Sequence, residues 1–230
     1  MCGRYTLKIT VDKLAERFKL AQEAVTSLAL QSDYNVAPSE SQPVIVVGEQ
    51  GNEAALMRWG LIPGWSKDGK PSYSTINARA EGIAEKPTYR KPFRSRRCLV
   101  PAAGFYEWQA TPGSKTKQPY YFTLKEMAES DLFAFAGLYD VWYGPDNQPL
   151  HSYTIITTTA NELVAGVHNR MPVILPRDLE ATWLDPRLQD VDRLSALLRP
   201  YPAAEMTAHP VSLAVNSPAN NGPQLIAAAG

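Results

Sequence analysis

Strand signals outnumber helix signals along this chain and do not alternate with them, and that ordering constrains the fold more than any other feature. Period-two alternation with β-branched and aromatic enrichment marks strands over 43–48, 54–61, 97–108, 119–124, 132–142, 152–159 and 172–175. Helical spacing is confined to short stretches. Val11, Leu14 and Phe18 form one stripe with Thr10 placed to cap it, and 78–84, 161–167, 178–184 and 191–198 are further short candidates. A doubly wound sheet needs regular alternation of strand and helix. The pattern therefore predicts an α+β fold, one domain over residues 1–230 around a mixed, barrel-like β-sheet with short flanking helices. No linker, low-complexity tract or internal repeat divides the chain, and its length suffices for a full core.

The charges balance, 23 basic against 23 acidic, which argues against coating nucleic acid by bulk electrostatics. A local basic groove is still allowed. Tyr89-Arg90-Lys91-Pro92-Phe93-Arg94-Ser95-Arg96-Arg97 reads equally as a site for phosphate contact and base stacking or as a solvated basic loop. The sequence has no apolar run long enough for a membrane span and no signal-peptide pattern, so a cytoplasmic protein is expected. Its only cysteines are Cys2 and Cys98, with neither CxxC nor HxxxH spacing, which predicts no metal site and no disulfide. Without a phosphate-cradling glycine motif, no nucleotide cofactor is implied.

The chain opens Met1-Cys2-Gly3-Arg4-Tyr5. Initiator methionine is commonly trimmed before a small residue, so the mature chain is expected to start with an amine and a thiol on one residue. With reference pKa values of about 7.7–8.0 and about 8.5, both groups are partly nucleophilic near neutral pH. Such a 1,2-aminothiol can attack an acyl carbon, or condense with an aldehyde and close a five-membered thiazolidine. The plain alternative is a buried, small apolar side chain.

Several polar residues sit poorly in a core. In the strand Gly104-Phe105-Tyr106-Glu107-Trp108, period-two alternation puts Glu107 on the face of Phe105 and Ala103. A carboxyl there has its charged form disfavoured, which suits proton transfer; the alternative is an edge carboxylate facing water. His168 follows a short helix and precedes an apolar strand, with Asn169 and Arg170 beside it, and reads as an acid/base group or as a structural histidine. Asn77 is placed to cap the candidate helix at 78–84, with Arg79 completing an anion site at its start. A cation in a first helical turn needs an anion or carboxylate to answer it.

Met-Cys-Gly-Arg-Tyr, Tyr34-Asn35-Val36-Ala37-Pro38-Ser39, Arg58 to Trp65, Ile76 to Glu81, Gly104 to Trp108, His168 to Pro172 and His209-Pro210-Val211-Ser212 occur in this order. Together they resemble the SRAP family, named for SOS-response-associated peptidases, over residues 2 to 216. The resemblance implies a monomeric sensor of abasic sites in single-stranded DNA that shields the lesion through a covalent crosslink. It assigns Cys2 as the crosslinking residue, Glu107 and His168 as proton-transfer groups and Asn77 as an orienting amide. It further implies that Arg4, Arg79, Arg170 and Thr157 contact phosphates and that Trp108 stacks on a base. Two other classes stay open: an N-terminal-nucleophile hydrolase acting on a peptide or amide, and a non-covalent reader of modified or single-stranded DNA using Arg90 to Arg97 and the tryptophans.

Overall fold

In this computed structural model, which describes residues 2–70, 74–110, 113, 116–126 and 131–229, the chain builds two sheets sharing one core. In chain order the first elements are β1 (Tyr5–Leu7), α1 (Val11–Phe18), α2 (Gln22–Thr26), β2 (Asp33–Val36), β3 (Ser41–Gly48), β4 (Gly51–Trp59) and β5 (Asn77–Arg79). There follow α3 (Arg90–Ser95), β6 (Arg97–Ala102), β7 (Gly104–Gln109), β8 (Gln118–Leu124), β9 (Phe133–Tyr143) and β10 (Pro149–Thr159). The last are α4 (Glu162–Ala165), β11 (Arg170–Pro172), β12 (Ile174–Leu175), α5 (Arg177–Leu184), α6 (Val191–Ser195) and β13 (Met206–Pro210).

The larger sheet closes on itself. Neighbours run β10, β4, β3, β6, β9 and back to β10, with β4 parallel to β10 and the other contacts antiparallel. Closure removes the unpaired edges that an open sheet would present. Neighbouring residues such as Val44 and Ile45, or Phe135 and Ala136, point to opposite faces and are buried alike, so these strands are covered on both the barrel interior and the outer side. The smaller sheet, in the order β13, β8, β7, β1, β2, lies against the barrel. Phe105 stacks on Phe122 within it and meets Phe135 of the barrel edge-on. The expected α+β fold around a mixed, barrel-like sheet is therefore found.

Two local expectations fail for physical reasons. Residues 97–108 do not form one strand: the chain turns at Ala103, whose N–H donates to the Thr6 carbonyl, and β6 and β7 enter different sheets. Gly104 permits the close approach there, because a Cβ would lie 2.2 Å from the Tyr121 ring and hydroxyl. The stretch 78–84 is not a helix. Asn77–Arg79 pairs in parallel with Ile155–Thr157, and the chain then turns through Gly82, whose φ of 68° favours glycine. Asn77 is thus a strand residue rather than a helix cap.

The basic segment 89–97 is a short helix on a buried footing, not a loop. Phe93 and Tyr89 pack in the core, and Arg97 is buried, donating to the carbonyls of Phe93, Arg94, Trp183, Asp185 and Leu188. Arg96 pairs with Asp140, leaving Arg90, Lys91 and Arg94 exposed. Thr10 does cap α1, accepting from the Lys13 N–H. Among the described residues no helix is long and apolar enough to cross a membrane.

Candidate active site

Residues from distant parts of the chain meet where the start of the polypeptide runs beside β7. Tyr5 pairs with Phe105, and the Tyr106 N–H donates to the Arg4 carbonyl, so the first residues are led along β7 toward Glu107. Cys2 is fully buried, and Asn77 Nδ2 donates to its carbonyl oxygen at 2.7 Å. Cys98, the other thiol, is buried in β6 with its sulfur against Gly137 and has no part in this cluster.

Glu107 is 2% exposed, on the same face of β7 as Phe105, while Tyr106 and Trp108 project to the opposite face. Burial pushes the Glu107 carboxyl above its ordinary range, with His168 among the groups acting in the other direction. Burial, and then the charge of Glu107, push the Cys2 thiol well up, so it rests as a neutral thiol. Thiol, carboxyl and imidazole thus lie within electrostatic reach in sequence order Cys2, Glu107, His168. The ring of His168 is oriented by its own loop: the Arg170 N–H lies 3.0 Å from Nδ1 and the Arg170 carbonyl 3.3 Å from the same nitrogen.

A second group lies along the end of β10. Thr157 is in register with Arg79 on one side and Pro172 on the other, and Thr159 with Arg170. The Arg170 guanidinium is mostly buried, forked onto Glu81 at 2.7 and 2.8 Å and donating to the Thr157 carbonyl at 2.6 Å. Arg170 and, to a lesser degree, Arg79 hold the Glu81 carboxyl below its usual range. Glu81 is the carboxylate that answers these cations. Sequence reasoning asked for such a partner but did not name this residue.

Arg4 and Trp108 lie on the far face of the β1–β7 ladder, under the C-terminal segment. Arg4 Nη1 donates to Asn35 Oδ1 at 2.7 Å and to the Val215 carbonyl at 3.1 Å. Trp108 Nε1 donates to Asn216 Oδ1 at 2.7 Å. Neither Asn35 nor Asn216 stood out in the sequence as a site residue; Asn35 lies within a quoted motif, and its near-complete burial is the signal that only a structure supplies.

Buried polar atoms in folded proteins nearly always have partners. Among the described residues, Arg4 Nε, Asn77 Oδ1, Thr157 Oγ1 and Arg170 Nε are buried without one, as is Thr154 Oγ1. Four of these five belong to residues that the family resemblance nominated. Among the described residues, no group of histidine, cysteine and acidic side chains is arranged to hold a metal ion.

The sequence that builds this cluster defines one class of protein. The family model described as SOS response associated peptidase (SRAP) matches residues 1–218, and the chain belongs to that family. Abasic site processing protein YoqW of Bacillus subtilis is 48% identical over 226 residues, covering 98% of this chain and 99% of its own. Abasic site processing protein HMCES of Xenopus tropicalis is 37% identical over 227 residues, covering 86% of this chain and 66% of its own. The crystal structure of a protein from Bacteroides thetaiotaomicron matches with a TM-score of 0.88 at 30% identity, over 99% of this chain and 100% of that one.

Proposed function

We propose that this protein processes abasic sites in single-stranded DNA and does so by covalent capture on Cys2 once Met1 has been removed. The observation that carries the reading is the set of buried, unpartnered polar atoms on Asn77, Thr157 and Arg170 around a buried thiol and a buried carboxyl, with a further one on Arg4 across the β1–β7 ladder. Such atoms are costly in an empty fold and become satisfied when a polar ligand enters. Relatives at up to 48% identity are named abasic site processing proteins, which supports the choice of ligand.

The chemistry follows from an α-amine, a thiol and an aldehyde. The ring-opened abasic sugar presents its aldehyde at C1′. The Cys2 amine adds to that carbon, a proton moves from nitrogen to the oxygen, and loss of one water gives an imine. The Cys2 sulfur then adds to the imine carbon while its proton passes to the imine nitrogen, closing a thiazolidine. One water is lost overall, and no oxidant or metal is consumed. A carboxyl with a raised pKa is suited to both transfers, donating toward the departing water and accepting from the thiol, and Glu107 takes this role. His168 serves the sugar oxygen, and Asn77 fixes the Cys2 backbone so that the amine meets the aldehyde.

Arg79, Arg170 and Thr157 line one side of the cluster, whereas Arg4 and Trp108 lie across the β1–β7 ladder. A strand touching both sets must bend sharply around that edge, which turns the sugar inward. Phosphate contacts by a few converging arginines need no net positive charge, in keeping with a neutral chain. The test is a denaturing gel with an abasic single-stranded oligonucleotide. A heat-stable shifted band with the parent protein and none with Cys2→Ala is expected; an equal band from Cys2→Ala would overturn the proposal.

A further inference from the structure

The C-terminal segment after β13 folds back over the smaller sheet through short 3-10 turns at Leu213–Asn216 and Pro223–Ile226. A second small core of Tyr106, Tyr121, Val211, Val215 and Leu225 lies beneath it. One side chain ties this strap to the rest of the protein. Asn35, on β2 and 1% exposed, donates through Nδ2 to the carbonyls of Ser217 at 2.9 Å and Asn220 at 2.8 Å, and more weakly to Val215 at 3.3 Å.

The orientation of that amide is forced. A guanidinium only donates and backbone carbonyls only accept, so Asn35 must turn Oδ1 to Arg4 and Nδ2 to the strap. With the Val215 carbonyl, Asn35 occupies Arg4 Nη1. The Nε–Nη2 edge of Arg4 has no partner among the described residues, and Nε is buried. An arginine with one edge fixed and the other unpartnered keeps two donors for a two-point grip on a phosphate. Burial works against the Arg4 charge, while Glu40, Tyr106 and Asp33 favour it. The same strap supplies Asn216, which holds the Trp108 indole.

We propose that Asn35 is a positioning residue for nucleic-acid binding: it locks Arg4 and the strap in one arrangement, so that the unpartnered Arg4 edge and the Trp108 ring are held together for a phosphate and a base. The inference rests on the proposed single-strand binding but not on the Cys2 chemistry. It makes the strap a working part of the site rather than a tail that closes a small core.

The experiment measures affinity of the full chain for abasic single-stranded DNA across salt, together with the crosslinking rate at saturating DNA. Asn35→Ala is expected to weaken binding at least tenfold near physiological salt. It should flatten log K against log salt by about 0.7, the value of one single-strand phosphate contact. The saturated crosslinking rate should hold within about twofold, because Asn77, Glu107 and His168 are untouched. Adding Arg4→Ala to Asn35→Ala should cost little more than Arg4→Ala alone, since one residue acts through the other. Additive losses, or a parent-like salt slope in Asn35→Ala, would overturn the proposal. Should Asn35→Ala not fold, Asn35→Asp carries the same test: it keeps an acceptor toward Arg4, neutralises it and removes the donors to the strap. A parent chain without affinity for single strands would instead defeat the functional reading itself.

Discussion

Asn77 Nδ2 donates to the backbone carbonyl of Cys2 at 2.7 Å, joining residues 75 positions apart across the buried end of the site. This bond sets where the first residue of a trimmed chain can point its amine. Asn77→Asp is nearly isosteric but cannot donate, and it faces the carbonyl with a second acceptor. Single-turnover crosslinking should slow by about 10- to 100-fold, with single-strand affinity close to parent. Asn77→Ala should show the same split and cost about 1–3 kcal/mol of stability by leaving the buried carbonyl unsatisfied.

Glu107→Gln separates proton transfer from packing. Its crosslinking rate should fall, and its pH–rate profile should lose the inflection of a carboxyl lying above the unfolded value of about 4.3. Stability should move the other way. A carboxyl whose folded pKa is raised favours the fold below the unfolded pKa and loses that contribution as pH rises through the folded pKa. Glu107→Gln should therefore melt higher than the parent at neutral pH, by roughly 2–4 °C for each kcal/mol relieved, with the gap closing toward pH 4. Calorimetry at several pH values reads this directly. An unchanged rate profile would make Glu107 a structural carboxyl.

Alanine at Arg4, Arg79 or Arg170 should each weaken single-strand binding and flatten its salt dependence. Alanine at Arg90, Lys91 and Arg94 together should do less, since these exposed cations lie on α3, and Arg97 beside them is committed to backbone carbonyls. A larger effect from the α3 set would move the groove to that side of the barrel.

Glu81→Gln offers the opposite sign. Removing a carboxylate held by Arg170 and Arg79 unmasks their charge, so affinity should rise and its salt dependence steepen. Fluorescence anisotropy at two ionic strengths is sufficient. Weaker binding would mean that Glu81 holds Arg170 in its working position instead of competing with phosphate.

Period-two patterns made the long strands readable, because a half-buried strand must alternate: Ser41–Gly48, Gln118–Leu124, Phe133–Tyr143 and Pro149–Thr159 all lie where the sequence put them within a few residues. Short elements were not readable. Asn77–Arg79 is a strand only because β10 lies alongside it, and no local preference in Asn-Ala-Arg announces that. The turn at Ala103 is likewise set by the Thr6 carbonyl, far away in sequence. Glu107 could be singled out because a carboxyl in an apolar row is visible in one dimension. Asn35 and Asn216 could not, since amides in polar loops look ordinary until their partners are known. The basic run at 89–97 stayed ambiguous for the same reason: its tally of charges hides that Arg97 is a core residue.

The central claim is that the bond to DNA forms at a free Cys2 amine and thiol. Intact-mass measurement after incubation with an abasic single-stranded oligonucleotide tests it, using the parent chain and one engineered to retain Met1. The parent should lose one methionine and gain the oligonucleotide mass less one water, with the adduct mapping to Cys2, while the chain keeping Met1 should stay uncoupled. A Met1-bearing chain that crosslinks at the parent rate, or an adduct on Cys98 or a lysine, would contradict the account.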